Sequence, residues 1–240
     1  MTRGALTAAA RLGVELGDSR QRMRWSHAWP VVIRPTGDDQ VHLVHGAGGP
    51  LGGDAFSLDV AVAPGAVLRV CSAGATVVQP GPRKEAHWTV TAQVGSGAVL
   101  EWAPEATVVC DGTALESLLR VDLAADAVAV LRELVVLGRY AERGGRYRGT
   151  LDVRVGGTPL LAHTTVLDGA DTALSGPAGT AGARAVGTLV IAGATSAPDV
   201  VGAGETPGVR WAWSALDGPG QVLLAVGDPE TVAAVLDGAR

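Results

Sequence analysis

The sequence predicts an all-β chain whose strands stack into a β-helix-like body, with one or two short C-terminal helices. Three observations carry this. The 34 glycines and 13 prolines in 240 residues mark a chain that reverses direction often. Short runs alternate apolar and polar residues with period two, the pattern of half-buried strands. A turn followed by a strand also recurs: Gly65-Ala-Val-Leu, Gly97-Ala-Val-Leu, Asp126-Ala-Val-Ala-Val-Leu and Gly157-Thr-Pro-Leu-Leu begin at spacings of 32, 29 and 31 residues. A fixed period in this range is the footprint of stacked units that cover one another's apolar faces. A β-sandwich with evenly spaced hairpins is the second reading.

Taken in order, the pattern begins near Val41. In Phe56-Ser-Leu-Asp-Val-Ala-Val62, Phe56, Leu58, Val60 and Val62 share one face. Trp88, Val90, Ala92 and Val94 line up in the same way, as do Tyr147, Leu151, Val153 and Val155. The apolar run Leu115 to Leu137 is long enough for a helix, but its β-branched content and the stop at Gly138 assign it to strands. Residues 170–208, rich in Gly, Ala, Thr and Pro, read as a loose connection that contains one short strand, Gly187-Thr-Leu-Val-Ile-Ala192. The tail, 228–238, reads as a helix with Asp228 at the N-cap, Pro229 at its first position, Glu230 in its first turn, and Val232, Val235 and Leu236 on one face.

The length suits one domain spanning 1–240, and the 47% apolar content with only 4% aromatics requires a core of small branched side chains. A net charge of −5 and a pI near 5.5 provide no cationic field for nucleic acid. Apolar stretches are interrupted well before the roughly 18 residues a membrane span needs, and the first residues lack the apolar core of a signal peptide. The expected location is the cytoplasm. There a disulfide between Cys71 and Cys110 is not expected. Mean hydropathy of +0.26 is high for a lone soluble protein and points to apolar surface kept for partners.

The most distinctive stretch is His45-Gly-Ala-Gly-Gly-Pro-Leu-Gly-Gly-Asp54, which runs directly into a strand. A phosphate-binding loop would lead into a helix, and no Gly-Lys-Ser/Thr follows, so the run reads as a tight turn that positions the Asp54 carboxyl. His42 and His45 form a His-x-x-His pair, but residues three apart on a strand point to opposite faces. Glu101 and Glu105 flank Trp102-Ala-Pro104 and could be drawn as an acid/base pair. No nucleophile elbow is present. No stable metal site and no catalytic constellation are expected.

In sequence order, His45 to Asp54, Ala63-Pro-Gly-Ala66, Gly97-Ala-Val-Leu-Glu-Trp-Ala-Pro-Glu105 and Leu134-Val-Val-Leu-Gly-Arg139 resemble the signature of the UreD/UreH urease accessory proteins over residues 41–167. Gly48, Gly49, Gly52, Gly53 and Asp54 match that family's Pro-Pro-Gly-Gly-x-x-Gly-Gly-Asp, and Gly138 with Arg139 closes the last piece. The resemblance implies a non-enzymatic, β-helical scaffold that docks the accessory protein UreF, which binds the GTPase UreG, the assembly engaging apo-urease. It also implies that nickel, a transient cargo rather than a cofactor, crosses an internal tunnel. Asp54 is then the first candidate for a tunnel-lining carboxylate, followed by Glu101 and Glu105. The chain departs from the family at Ala75-Thr-Val-Val-Gln79, where members carry Thr/Ser-Lys-x-Tyr. Two rival readings are a metal-dependent enzyme on a β-solenoid or cupin-like body using His42 and His45, and a carbohydrate-binding module using Trp25 with Trp29 or Trp211 with Trp213.

Overall fold

The computed structural model describes residues 4–18, 20–193 and 201–240. In chain order its strands are β1 (Thr7–Leu16), β2 (Gln21–His27), β3 (Val31–Pro35), β4 (Gln40–His45), β5 (Ala55–Val62), β6 (Val67–Ser72), β7 (Thr76–Val78), β8 (Glu85–Val94) and β9 (Val99–Trp102). They continue as β10 (Thr107–Val109), β11 (Ala114–Leu123), β12 (Val128–Leu137), β13 (Arg146–Val155), β14 (Thr158–Asp168), β15 (Ala185–Gly193), β16 (Gly202–Thr206), β17 (Val209–Ala215) and β18 (Gly220–Gly227). One helix, α1 (Pro229–Gly238), follows.

The strands form two facing sheets that the chain visits alternately. The first has the order β14-β13-β11-β8-β5-β1-β2, and the second β16-β17-β18-β15-β12-β9-β6-β4-β3. In the first, β1, β5, β8, β11 and β13 are parallel; in the second, β4, β6, β9 and β12 are. Val67 pairs with Val99, and Val99 with Val128, so the 32- and 29-residue spacings in the sequence are the lengths of successive coils. Each coil ends its strand in the first sheet at a turn such as Ala63–Ala66 or Gly95–Ala98, each closed by a backbone hydrogen bond of 3.0 Å. The chain then enters the second sheet.

Because the coils are in register, inward residues stack in columns. Leu58, Val90 and Leu119 from one sheet meet Leu68, Leu100 and Ala129 from the other, all buried in one cluster. The outward face carries polar contacts between neighbouring coils: Thr91 to Asp59 (2.7 Å), Arg120 to Asp152 (2.9 Å) and Gln93 to Asp122 (2.9 Å).

The fourth turn of the sequence repeat, at Gly157, does not open another coil. Gly156 and Gly157 take φ of +57° and +82°, the pair of left-handed residues that makes a two-residue hairpin, and β14 returns antiparallel to β13 in the same sheet. The period-two pattern also starts earlier than Val41: Ala8, Ala10, Leu12 and Val14 on β1 are buried in the same core. Small alanines there give a weak signal.

After the hairpin, β15 extends the second sheet antiparallel to β12 and includes the strand expected within 170–208; part of that segment, 194–200, lies outside the described residues. Helix α1 covers the outer face of this sheet, burying Val232 and Leu236 against Leu134, Val136, Leu189 and Leu223. Its approach needs Gly187, where a Cβ would collide with Val232 and Leu236. Asp228 holds the N-cap position with extended backbone, but its side chain makes no capping hydrogen bond. Thr231 Oγ1 instead donates to the Gly208 carbonyl at 2.8 Å.

Leu100 is fully buried between the sheets, so Leu100→Ala is expected to cost about 2–5 kcal/mol. Asp122→Ala on the outer ladder should cost under about 1 kcal/mol. Urea unfolding midpoints of the two variants check the difference.

Candidate functional site

Strand β12 runs unbroken, but the coil beside it does not. β9 pairs with Val128–Leu131, β10 pairs with Val135–Leu137, and residues 103–106 bulge out between them. The next coil is split in the same place, between β6 and β7. Arg132, Glu133 and Leu134 therefore face a break in the sheet. Leu131, Val135 and Leu137 belong to the inner clusters, while Leu134 and Val136 pack beneath α1. Period two thus turns Glu133 inward and Arg132 outward.

Glu133 lines an internal cavity of about 50 Å³, with His45, Ser72, Trp88, Glu105 and Ser117 also on its wall. The cavity lies between two apolar clusters, one centred on Leu68, Leu100 and Leu131 and the other on Val109, Leu115 and Leu137. Glu133 is only half-buried by surface area, and it borders this cavity. Its Oε1 accepts a 2.6 Å hydrogen bond from the hydroxyl of buried Tyr147. Removal from bulk water pushes the Glu133 carboxyl up, while the bond from Tyr147 opposes that shift. Burial, then the neighbouring Glu133, raises the Tyr147 phenol well above its ordinary value.

His45, the last residue of β4, lies against Phe56 with ring centroids 6.3 Å apart and meets Trp88 edge-on at 5.5 Å. Its Nδ1 is buried without a hydrogen-bond partner, and burial lowers its pKa to about 4. The imidazole is therefore neutral near pH 7 and able to donate a lone pair.

The rim is formed by Pro104 and exposed Glu105. The Glu105 amide donates to Ser72 Oγ at 2.9 Å, and the Pro104 carbonyl accepts from Arg132 Nη1 at 2.6 Å. Arg132 is 4% exposed and its Nε lies 3.1 Å from Asp237 on α1, so one buried guanidinium ties the helix to the rim. The wall thus carries carboxyl, hydroxyl and imidazole groups beside the Arg132 guanidinium, and His45, Glu105 and Glu133 do not all bring a ligand atom within 4.8 Å of one another. Organic-ligand pockets are typically about 300–1,000 Å³.

The family model described as "UreD urease accessory protein" matches residues 6–235. The chain belongs to the UreD urease accessory protein family. Among its relatives, the urease accessory protein UreD of Parafrankia sp. (strain EAN1pec) is 37% identical over 254 residues, covering 95% of this chain and 85% of the relative. That of Streptomyces avermitilis is 38% identical over 200 residues, covering 80% and 79%. Urease accessory protein UreD 1 of Saccharopolyspora erythraea is 37% identical over 233 residues, covering 92% and 89%.

The residues singled out in the sequence fall in different places. Of the three carboxylates, Glu105 is on the cavity rim. Glu101 points to the outer side of the second sheet, 3.3 Å from Arg69 and 3.1 Å from Arg240. Asp54 is fully buried and accepts backbone hydrogen bonds from Leu6 (2.7 Å) and Leu51 (3.0 Å), closing its own turn and fastening the segment before β1. The glycines make that turn possible. Gly49 takes φ +118° with the Val77 backbone where its Cβ would be, and Gly52 packs against the Arg83 carbonyl.

Gly138, at φ +70°, ends β12, and Arg139 pairs with Glu142, whose carboxyl is held down to about 2, first by that hydrogen bond. His42 and His45 are not brought together. His42 Nδ1 lies 2.9 Å from Thr36 Oγ1 while His45 faces the cavity. Thr76–Val78, within the stretch that departs from the family pattern, forms β7. Trp25 and Trp29 are exposed, whereas Trp211 and Trp213 pack partly beneath α1. Glu133 and Tyr147 were not singled out as site residues. The available signal was a charged residue at an inward position of β12.

Two outcomes follow from this geometry. Asp54→Ala leaves two partly buried amides without their acceptor and should cost about 1–3 kcal/mol; Asp54→Asn, which keeps an oxygen, should cost less, as read by thermal melting. His45 has a folded pKa near 4 below an unfolded value of about 6.5, so its neutral form favours the fold above pH 6.5 and that stability is lost as pH falls toward 4. Between pH 7.5 and 5, wild type should lose about 2 kcal/mol more than His45→Phe in denaturant titrations.

Proposed function

We propose that this chain serves urease maturation as a non-enzymatic scaffold and nickel conduit in the cytoplasm, working in a complex with UreF-type and UreG-type partners and apo-urease. The observation that carries the reading is the internal cavity at the break in the second sheet. A β-solenoid interior is ordinarily filled with apolar side chains, and here a carboxyl, an imidazole and several hydroxyls share a small space inside one. Ligands for a cargo must hold it weakly enough to release it. Glu133 balances metal binding against its bond to Tyr147, and His45 offers a neutral nitrogen without a compensating charge. Family membership and the relatives' names support the urease-maturation role.

Asp54 enters this reading as the residue that fixes the glycine turn and the N-terminal strand rather than as a ligand. The Asp237–Arg132–Pro104 connection gives an event at α1 a mechanical path to the cavity rim.

The test is co-expression with cognate UreF- and UreG-type partners and apo-urease, followed by pull-down and nickel-dependent urease activation. Glu133→Gln is expected to remain in the complex and to activate urease less than wild type. Activation at the wild-type level by a variant that is folded and bound would contradict the conduit.

A further inference from the structure

On the solvent face of the first sheet, away from the cavity, Glu85, His87 and Glu116 bring one potential ligand atom each within 4.8 Å of one another. Strand geometry puts them there. Glu85 and His87 are two apart on β8 and share its outward face, and Glu116 on β11 is the register partner of His87.

The spacing itself is informative. His87 Nε2 is 3.5 Å from Glu85 Oε1, and His87 Nδ1 is 3.7 Å from Glu116 Oε2. Nitrogen–oxygen hydrogen bonds lie at about 2.7–3.2 Å, so the ring is bonded to neither carboxylate. Two ligands of one ion at about 2.1 Å sit about 3.0 Å apart in octahedral and about 3.4 Å apart in tetrahedral coordination. The 3.5 and 3.7 Å distances fall on different ring nitrogens, and one ion takes only one of them, so the imidazole must turn a single nitrogen toward both carboxylates, one ligand atom of each residue already lying within 4.8 Å of the others. Glu116 divides its oxygens, Oε2 toward His87 and Oε1 toward Arg148 Nε at 3.9 Å, a separation beyond hydrogen-bond range. The backbone beneath is anchored: Gly53 donates to the Glu85 carbonyl (2.7 Å) and His87 to the Asp54 carbonyl (2.8 Å).

We propose that Glu85, His87 and Glu116 form a surface site for a divalent transition-metal ion. One imidazole and two carboxylates favour ions of borderline softness such as Ni²⁺ or Zn²⁺ over Mg²⁺, which lacks affinity for nitrogen, and over Cu⁺, which prefers sulfur. The site is independent of the conduit. His87 points outward where the next residue, Trp88, lines the cavity, so strand β8 separates the two.

The test is calorimetric titration of the tag-free full chain with Ni²⁺ and with Zn²⁺, Mg²⁺ serving as the hard-ion control. Wild type, His87→Ala, Glu116→Gln and the cavity variant His45→Phe are compared. His87 and Glu116 are exposed, so both surface variants should keep the wild-type melting temperature. Each is expected to weaken one binding event at least about tenfold, with His45→Phe retaining it. Absence of Ni²⁺ and Zn²⁺ binding to wild type, unchanged binding in His87→Ala, or an equal loss in His45→Phe would each overturn the site.

Discussion

Parallel pairing between successive coils is the constraint on which the rest of the molecule depends. Once Val67 is in register with Val99 and Val99 with Val128, every inward side chain is stacked on another inward side chain one coil away, and a slip of one residue would turn a whole column to solvent. Such sheets are stable when both ends of the stack are dealt with. Here β2 and the β13–β14 hairpin flank the parallel strands of the first sheet. In the second, β15–β18 and α1 extend and cover β12. Asp54, bonded to Leu6 and Leu51, joins the N-terminal strand to this register.

The cavity is a consequence of the same pairing. Where β6 and β9 end before β7 and β10 begin, the ladder is interrupted while β12 continues. Inward Glu133 at that level has no ladder partner in the neighbouring coil. Polar groups there can be retained only if they are paired or neutral, and the molecule uses both solutions: Glu133 is bonded to Tyr147 and His45 is uncharged. The break also places a rim, Pro104 and Glu105, within reach of Arg132 and so of α1. Packing, electrostatics and the opening of the cavity are thus set by a few missing ladder positions.

Much of this was legible in the sequence. The turns at Gly65, Gly97 and Asp126 announced the coils because each coil must cross between sheets at one level, and Pro229 with Val232 and Leu236 announced α1. The Gly157 turn looked the same in sequence, yet two successive left-handed glycines make a hairpin rather than a crossover. β1 was silent because alanine carries little hydrophobic contrast. The five-glycine run correctly singled out Asp54 as a positioned carboxyl, but a buried acceptor of backbone hydrogen bonds and a cavity ligand leave the same trace in a single sequence. Glu105 reached the cavity and Glu101 did not because residues 103–106 leave the strand, which alternation alone cannot indicate. Glu133 sits among leucines and valines that draw the eye to the core, although its inward parity marked it.

On the proposal made above, nickel passes through the cavity at the break in the second sheet. The most direct measurement is to narrow that space without touching its nitrogen and carboxyl donors. Thr107→Leu adds bulk to the wall and leaves Glu133, His45 and Glu105 in place. With the variant shown to be folded and assembled with its partners, nickel-dependent urease activation is expected to be lost. Activation equal to wild type through a filled cavity would contradict it.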